Sequence, residues 1–330
     1  MRKPTKPEDI RTFTERERAR WLSRIGQSGR FPQLALGIGD DAALLRLPKG
    51  HQMVVTTDFS LEGVHFRRDW HSPQSAGHRC LARGLSDLAA MGAQPVAAFL
   101  SLALPKALAG AWADGFFAGL LALAKEHKIP LAGGDMASAD RVLADIVLVG
   151  SVPAGKAMLR STARAGDALY VTGSLGGAAA ELATLPRNSR TKETRDAGAS
   201  HPHLFPQPRV ASGLALRKLG KRVACMDLSD GLAMDLSRLC EASRICAEVE
   251  VSKLPLAAGA TLQQALTGGE DYELLFAAPA SMRIPKKLGG VAVTRIGTLA
   301  ASKPRQSQMT LVQPDGLRGS LEPEGWEYFK

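Results

Sequence analysis

At 330 residues, 45% of them hydrophobic, the chain is long enough for two domains with substantial cores. Its net charge of +10 invites a nucleic-acid partner, but aromatics are only 5% and no nucleic-acid-binding motif is visible, so a solvated basic surface or attraction of small phosphate ligands is the favoured reading. No apolar h-region follows the basic start, the apolar region 96–124 is broken by Pro105, Lys106 and Asp114, and Cys80, Cys225, Cys240 and Cys246 form no CxxC or zinc spacing; neither a signal peptide nor a membrane span nor a zinc motif is expected, and a reduced, cytoplasmic compartment fits.

Residues 7–26 predict a helix, with long charged side chains and apolar points at Ile10, Phe13, Trp21 and Leu22. GIGDDA (37–42) reads as a loop, and MVVTTD (53–58) as a β-branched strand that delivers Asp58 at its end. Pro73 opens a predicted helix through Ala90, with Cys80, Leu81, Leu85 and Leu88 on one face, Asp87 on its last turns and Gly92 as its stop. PVAAFLSLAL (95–104) predicts a buried strand and 107–126 a second helix. IPLAGGD (129–135) predicts a short strand into a Gly-Gly turn with Asp135 just past it, and VLADIVLVGSV (142–152) another strand.

The second half starts with a strand at 167–173 and a turn into a helix at 174–182. Residues 185–203 are polar, charged and Pro-flanked, and read as an excursion: a loop, an insertion or a lid. A helix (208–219), a strand into a turn (VACMDLSDG, 223–231), a helix (232–243) and strands near 247–251, 272–278 and 291–296 follow. The expected class is α/β of the α+β type: an N-terminal arm (1–30), an α/β domain (31–152) and a second α/β domain (153–330), the two halves sharing a similar element order.

Six Asp-bearing motifs punctuate this basic chain: GIGDDA, TTD (56–58), LSDLAAMGA (85–93), GGD (133–135), DLSDG (227–231) and GGEDYEL (268–274). Clustered carboxylates repel one another unless a cation neutralises them, and small neighbours let a hard ligand approach the backbone; the expected chemistry is Mg²⁺ holding phosphates. Of Asp40 and Asp41, one can meet a metal while the other caps a turn. Asp58 beside Thr56 and Thr57 offers the oxygen donors that Mg²⁺ prefers, or an N-cap. Asp87 among Leu85, Leu88 and Ala89 is costly unless paired, with Arg83 the basic residue one turn away. Asp227 can face a cation, Ser229 and the following amides can hold a phosphate, and Asp230 can cap the helix behind them. In GGEDYEL at least one carboxylate is expected only to satisfy turn amides. His65 can line the cleft of Asp58, whereas His71 and His78 are expected at the surface. GSVPAGKA (150–157) misses a Walker-type phosphate loop by its final Ala157, and neither a kinase loop set nor a Ser-His-Asp arrangement is present.

In order, GIGDDA…TTDFSLEGVHF…LSDLAAMGAQP…GGD…DLSDGLAMDL…GGEDYELLF closely resembles the thiamine-monophosphate kinase family, within the superfamily of aminoimidazole-ribonucleotide and selenophosphate synthetases. The likeness runs from about residue 36 to 298, with a trace in GWEYF (325–329). It implies ATP-dependent conversion of thiamine monophosphate to thiamine diphosphate, several Mg²⁺ ions, and a homodimer whose N-terminal mixed sheets form a barrel. Carried over by motif, Asp41, Thr56, Thr57, Asp58, Asp87, Asp135, Asp227 and Asp230 are the implied metal shell. Gly134, Asp135, Arg160 and Ser229 are implied nucleotide contacts, and His65, Glu270 and Trp326 contacts to thiamine monophosphate. An aromatic nucleotide contact falls near Phe116 and Phe117, where the family's Tyr is replaced.

A phosphate monoester is already anionic near neutral pH, so the transfer needs charge cancellation rather than a general base. The alternatives are another ATP-dependent phosphotransferase of the superfamily and a two-metal phosphohydrolase.

Overall fold

The computed structural model describes residues 31–185, 201–220, 222–302 and 308–326. The helix expected at 7–26, most of the excursion at 185–203 and the end of GWEYF lie outside the described residues. A short antiparallel pair, β1 (Leu34–Leu36) and β2 (Leu44–Leu45), brackets the GIGDDA loop. β3 (His51–Leu61), β4 (Gln94–Leu104), β5 (Leu131–Ser138) and β6 (Leu143–Pro153) then form a four-stranded sheet in the order β3-β6-β4-β5. β4 and β5 run parallel and the other two pairings are antiparallel. The parallel pair needs a crossover, which α2 (Ala111–Glu126) supplies.

α1 (Pro73–Ala90) starts as the sequence dictates: Pro73 occupies the first helical turn, where its missing N–H is no loss, and the Ser72 hydroxyl accepts the Ser75 amide at 3.1 Å. The single helix expected over 107–126 is instead a 3₁₀ turn at Lys106–Leu108 followed by α2, with Gly110 interrupting the run. Asp135 lies within β5 rather than past a turn.

The C-terminal sheet is larger. β7 (Asp167–Thr172), β8 (Ala224–Asp227), β9 (Ile245–Glu250) and β10 (Leu274–Pro279) are joined by β11 (Lys287–Leu288), β12 (Val291–Ala301), β13 (Met309–Val312) and β14 (Arg318–Ser320). The order is β14-β13-β9-β12-β7-β10-β8, with β11 paired to β12. Both halves repeat one pattern: the first strand pairs antiparallel with a late strand, which pairs antiparallel with the second, as β3-β6-β4 and as β7-β10-β8. The helices here are α3 (Gly177–Leu182), α4 (Val210–Lys218), α5 (Leu232–Ser243) and α6 (Leu262–Thr267).

Strand alternation divides the core. On β8 and β10, Cys225, Leu274 and Phe276 face a cluster that includes Leu81, Leu85, Leu88 and Leu148 of the N-terminal half. Met226, Leu275 and Ala277 face the opposite way, against Leu236 and Leu239 of α5. One core therefore runs through α1 and α4 across both halves. Gly213 of α4 makes this contact possible, because a Cβ there would lie 2.0 Å from the Ala89 carbonyl oxygen. Burying a leucine such as Leu81 contributes about 1.5–3 kcal/mol, so this shared layer fixes the halves' relation and the cleft between them. Among the described residues no helix is long and apolar enough to cross a membrane.

Candidate active site

Where the end of β8 meets β3 and α1, a cavity of about 520 Å³ opens between the halves. Asp58, His65, Asp87, Asp227, Ser229, Asp230, Glu270 and Trp326 all line it. Side chains alternate along β3, so Thr56 and Asp58 share its helix-facing side, and the Thr56 hydroxyl donates to Asp87. Ser86, the residue before Asp87, donates to Asp227 Oδ2 at 2.7 Å and so joins α1 to the C-terminal sheet. Asp58, Asp87 and Asp227 are all pushed above the usual carboxylate range, first by burial; repulsion from Asp87 adds to it at Asp58 and Asp227. Arg83 Nη2 stands 3.6 Å from Asp58 Oδ1, and the charge of Arg160 acts on Asp87, but neither cancels the cluster's negative charge.

The DLSDG and GGEDYEL loops are laced together by Glu270 N–H to Ser229 O at 2.8 Å and Tyr272 N–H to Leu228 O at 2.9 Å. This aims Glu270 at the cavity and holds both Glu270 (φ 59°) and Tyr272 (φ 49°) in the left-handed region, which side chains larger than glycine seldom adopt. The other two acids of the motif have structural partners. Asp271 accepts the Gly176 and Ala178 amides at 2.7 and 3.2 Å, the turn-amide role expected of one of them. Glu273 takes both arms of Arg209, at 2.7 and 2.5 Å.

Burial pushes the Glu270 carboxyl up, but Arg79 Nη2 at 2.6 Å and His203 Nδ1 at 3.2 Å outweigh it and hold it well below the usual range. Burial and the neighbouring Arg83 lower His65 to about 4, so it is neutral; its Nδ1 accepts the Leu61 amide at 2.9 Å, which places the proton on Nε2. Trp326, half exposed, adds an aromatic wall, its amide donating to Asp230 O at 3.3 Å.

Two expectations are corrected here. Asp230 does not cap α5: Asp235 Oδ2 accepts the amides of Ser229 (2.9 Å) and Asp230 (3.0 Å), while Arg238 grips Asp230 at 2.5 Å and Asp235 at 2.8 Å. His71 and His78 are not surface residues but are 4% and 1% exposed, because residues 201–206 pack over them. Arg79 and His203 were not anticipated at all; nothing local marks them, since Arg79 meets His203 and Glu270 from 124 and 191 positions away.

A second cavity of about 410 Å³ lies at the GIGDDA loop, lined by Asp41, Gly134 and Phe117. Gly134 is needed there, since a Cβ would sit 2.0 Å from the Leu100 carbonyl oxygen. Asp135 is exposed, its carboxylate accepting the Met136 amide at 2.7 Å. Thr57 points from the other face of β3 and donates to Asp145 at 2.6 Å. Phe116 is fully buried, which leaves Phe117 as the member of that pair on a cavity wall.

The donors fit Mg²⁺: they are all oxygen, negatively charged beyond what nearby arginines offset, and drawn from both halves. No group of three or more His, Cys, Asp or Glu among the described residues forms a ready-made cage. Mg²⁺ commonly takes one or two carboxylates and completes its shell with water and substrate phosphates, so an open arrangement suits a metal that arrives with a nucleotide.

Residues 39–152 match the family model for the AIR synthase related protein, N-terminal domain, and residues 164–307 its C-terminal domain. The chain is 37% identical over 324 residues to thiamine-monophosphate kinase of Salmonella typhimurium, covering 94% of this chain and 96% of that one. The crystal structure of thiamine-monophosphate kinase from Stenotrophomonas maltophilia superposes with a TM-score of 0.76 at 36% identity, covering 91% of this chain and 95% of that one. A structure of AaThiL complexed with AMPPCP and TMP gives a TM-score of 0.74 at 29% identity, with 86% and 89% covered.

Proposed function

The chain belongs to the thiamine-monophosphate kinase family, and from that premise we infer that it transfers the γ-phosphoryl group of ATP to thiamine monophosphate, giving thiamine diphosphate and ADP. The observation that carries this is the single cavity in which three buried, mutually repelling carboxylates face Glu270, His65 and Trp326. One side of that cavity is built for cation-bridged phosphates and the other for a positively charged heteroaromatic.

The obstacle to reaction is charge. Two like charges ~4 Å apart cost ~4 kcal/mol at an effective dielectric of ~20, and a polyanionic nucleotide must meet a dianion. Asp58, Asp87 and Asp227, with Thr56 and Asp230 beside them, would hold Mg²⁺, which when bound screens the phosphates and aligns them for in-line transfer. Asp41 and Asp135 belong to the same proposed shell from the GIGDDA side, with Thr57 as an oxygen donor on β3. Gly134 gives backbone access to the nucleotide, Ser229 a hydroxyl and Arg160 a charge for the transferring group. The acceptor phosphate oxygen attacks as an anion, so no side chain has to remove a proton. Glu270 accepts from or balances the thiamine ring system, His65 Nε2–H donates, and the Trp326 face stacks on it. No residue is asked to carry a phosphoryl group.

A homodimer fits the N-terminal sheet. β3 is an edge strand whose outward side chains Met53, Val55 and Phe59 are 53%, 58% and 54% exposed. An exposed apolar edge is a pairing liability, and closing two four-stranded sheets into a barrel would cover it. Four buried free cysteines favour a cytoplasmic setting. The 31–152 and 153–330 division is proposed as two folding units sharing the α1–α4 layer.

The test is coupled ADP release from Mg-ATP with and without thiamine monophosphate, with thiamine diphosphate measured directly. Equal, acceptor-dependent formation of ADP and thiamine diphosphate is expected. ADP release indifferent to thiamine monophosphate would instead identify a phosphohydrolase or another acceptor.

A further inference from the structure

Behind Glu270 lies a buried pair of imidazoles to which the transfer reaction assigns no part. His71, on the loop before α1, and His203, just before α4, are 4% and 2% exposed, and their Nε2 atoms are 3.0 Å apart. Two ring nitrogens at that distance need one proton between them. The outer nitrogens decide its place. His203 Nδ1 lies 3.2 Å from Glu270 Oε2 and must donate to that carboxylate; Arg79 Nη1, 3.4 Å from the same nitrogen, is too far to compete. His203 Nε2 is then an acceptor, and His71 Nε2–H donates to it. His71 Nδ1 is left to accept, which the Arg67 amide at 3.2 Å allows; the Arg67 carbonyl, 3.1 Å away, is the partner of the opposite tautomer. The chain Arg67 N–H to His71 to His203 to Glu270 is thus satisfied with both rings neutral. Burial and the nearby Arg79 guanidinium push both imidazoles down, His71 to about 3, which agrees with neutrality.

The scaffold around the pair is rigid. Glu181 Oε2 accepts the His203 amide at 2.6 Å and the Leu204 amide at 3.2 Å, Ser75 Oγ donates to Leu204 O at 2.7 Å, and Arg79 donates to the His203 carbonyl. Glu270 receives Arg79 Nη2 on Oε1, with Arg83 Nη1 a further ion-pair partner at 3.6 Å, and His203 on Oε2, so each oxygen is pinned by one hydrogen-bond donor.

We propose that His71 and His203 are a positioning pair whose fixed tautomers hold the rotamer with which the Glu270 carboxylate receives thiamine monophosphate. This rests on the thiamine contact assigned to Glu270 above. Both residues stand in the cavity wall, but their ring nitrogens are taken up by Arg67, by each other and by Glu270, so the pair acts on the acceptor through Glu270. The pair sets affinity for the acceptor and leaves the nucleotide side unaffected.

The experiment is steady-state kinetics on the full chain, with KM for thiamine monophosphate, KM for ATP, kcat and melting temperature measured for His203→Ala, His203→Asn, His71→Leu and His71→Gln. His203→Ala is expected to raise the thiamine monophosphate KM about tenfold, as for loss of a hydrogen bond to a charged group, with kcat and ATP KM within about twofold. Asn places an N–H near the position of Nδ1, and His203→Asn should bring that KM back to within about threefold of wild type. His71→Leu, which removes the donor to His203, should raise it about three- to tenfold, whereas His71→Gln, with its amide near Nε2, should not. An unmoved thiamine monophosphate KM in folded His203→Ala, equal losses on the ATP side, or failure of Asn to restore the KM overturns the proposal. If His203→Ala does not fold, the His71 variants decide: equal KM values for Leu and Gln overturn it. A wild-type protein that forms no thiamine diphosphate overturns the functional reading and the pair with it; a working wild type with unmoved variants removes the pair alone.

Discussion

The cavity between the halves and the cavity at the GIGDDA loop both display Asp motifs, yet they differ in how their carboxylates are held. In the first, Asp58, Asp87 and Asp227 are buried enough to be pushed above their usual range, and hydrogen bonds from Thr56 and Ser86 of the N-terminal half fix Asp87 and Asp227. In the second, Asp40, Asp41 and Asp135 are exposed, and their hydrogen bonds are local: Asp40 Oδ1 accepts the Asp41 amide at 2.8 Å and Asp135 the Met136 amide at 2.7 Å. A carboxylate constrained against repulsion stores unfavourable energy that a cation releases on binding, whereas an exposed one stays hydrated until a ligand brings the cation to it. The first region is preorganised for charge, the second is recruited by it.

The largest effects should therefore come from the first region. Asp58→Asn, Asp87→Asn or Asp227→Asn is expected to lower kcat by about 10²–10³-fold, the range for removing one preorganised charge-stabilising group. Because an amide removes a repelling charge, the metal-free melting temperature should hold or rise. A variant that keeps wild-type turnover removes that residue from the metal shell, and a melting temperature that falls by several degrees means the carboxylate has a structural role instead.

Glu270→Gln comes next and probes the thiamine side. It should raise the thiamine monophosphate KM about tenfold with ATP KM unchanged, and cost about 2 kcal/mol of stability near neutral pH through loss of charge-assisted bonds to Arg79 and His203. The sign of the pH dependence follows from a folded pKa held below the ordinary 4.5. The stabilisation is fully present above that value and disappears as pH falls through the lower folded value. Urea titrations at pH 7 and in steps below 4.5 should show the two proteins converging as acidity rises. A difference that is constant with pH would assign the cost to packing rather than charge.

How much of this was legible in the sequence depended on range. β3, β4, β6, α1 and α5 follow from runs long enough to impose a period, and Ser72-Pro73 marks a helix start by local chemistry alone. β1, β2, β11 and β14 are two or three residues long and exist because a neighbouring strand supplies their partners. The same distinction governs the site. Asp58, Asp87 and Asp227 announce themselves as carboxylates among small or apolar neighbours. Arg79 looks like any exposed helical arginine until residues 201–206 and 270 fold over it, and His71 reads as a surface residue for the same reason. Asp230 looked like an N-cap by position, but the cap position falls on Gly231 with no side-chain cap bond, and Arg238, two turns further on, takes the Asp230 carboxylate. Which partner claims a carboxylate at a helix start cannot be ranked without the geometry.

A smaller effect belongs to the exposed region. Asp41→Asn should raise the ATP KM about three- to fivefold and leave the thiamine monophosphate KM unchanged, since a hydrated, surface charge contributes about 1 kcal/mol or less. An effect as large as that of Asp87→Asn would show that the GIGDDA loop closes into the main cavity during turnover and would erase the difference between the two regions.

The smallest expected change distinguishes two adjacent aromatics. Phe116 and Phe117 are 0% and 2% exposed, their rings 5.9 Å apart at 77°, so both belong to the core under α1. Replacing either by leucine should cost a similar amount of stability, about 1–2 kcal/mol. Phe117 alone lines the GIGDDA cavity; Phe116 turns instead to Trp112, with ring centroids 5.7 Å apart. If that cavity takes part of the nucleotide, Phe117→Leu should raise the ATP KM about two- to threefold and Phe116→Leu should not. Because the two substitutions remove the same atoms from the same core, their stability costs cancel in the comparison. A shared shift in ATP KM would mean that core loosening is being read out, and a shift in neither would place the nucleotide entirely in the cavity between the halves.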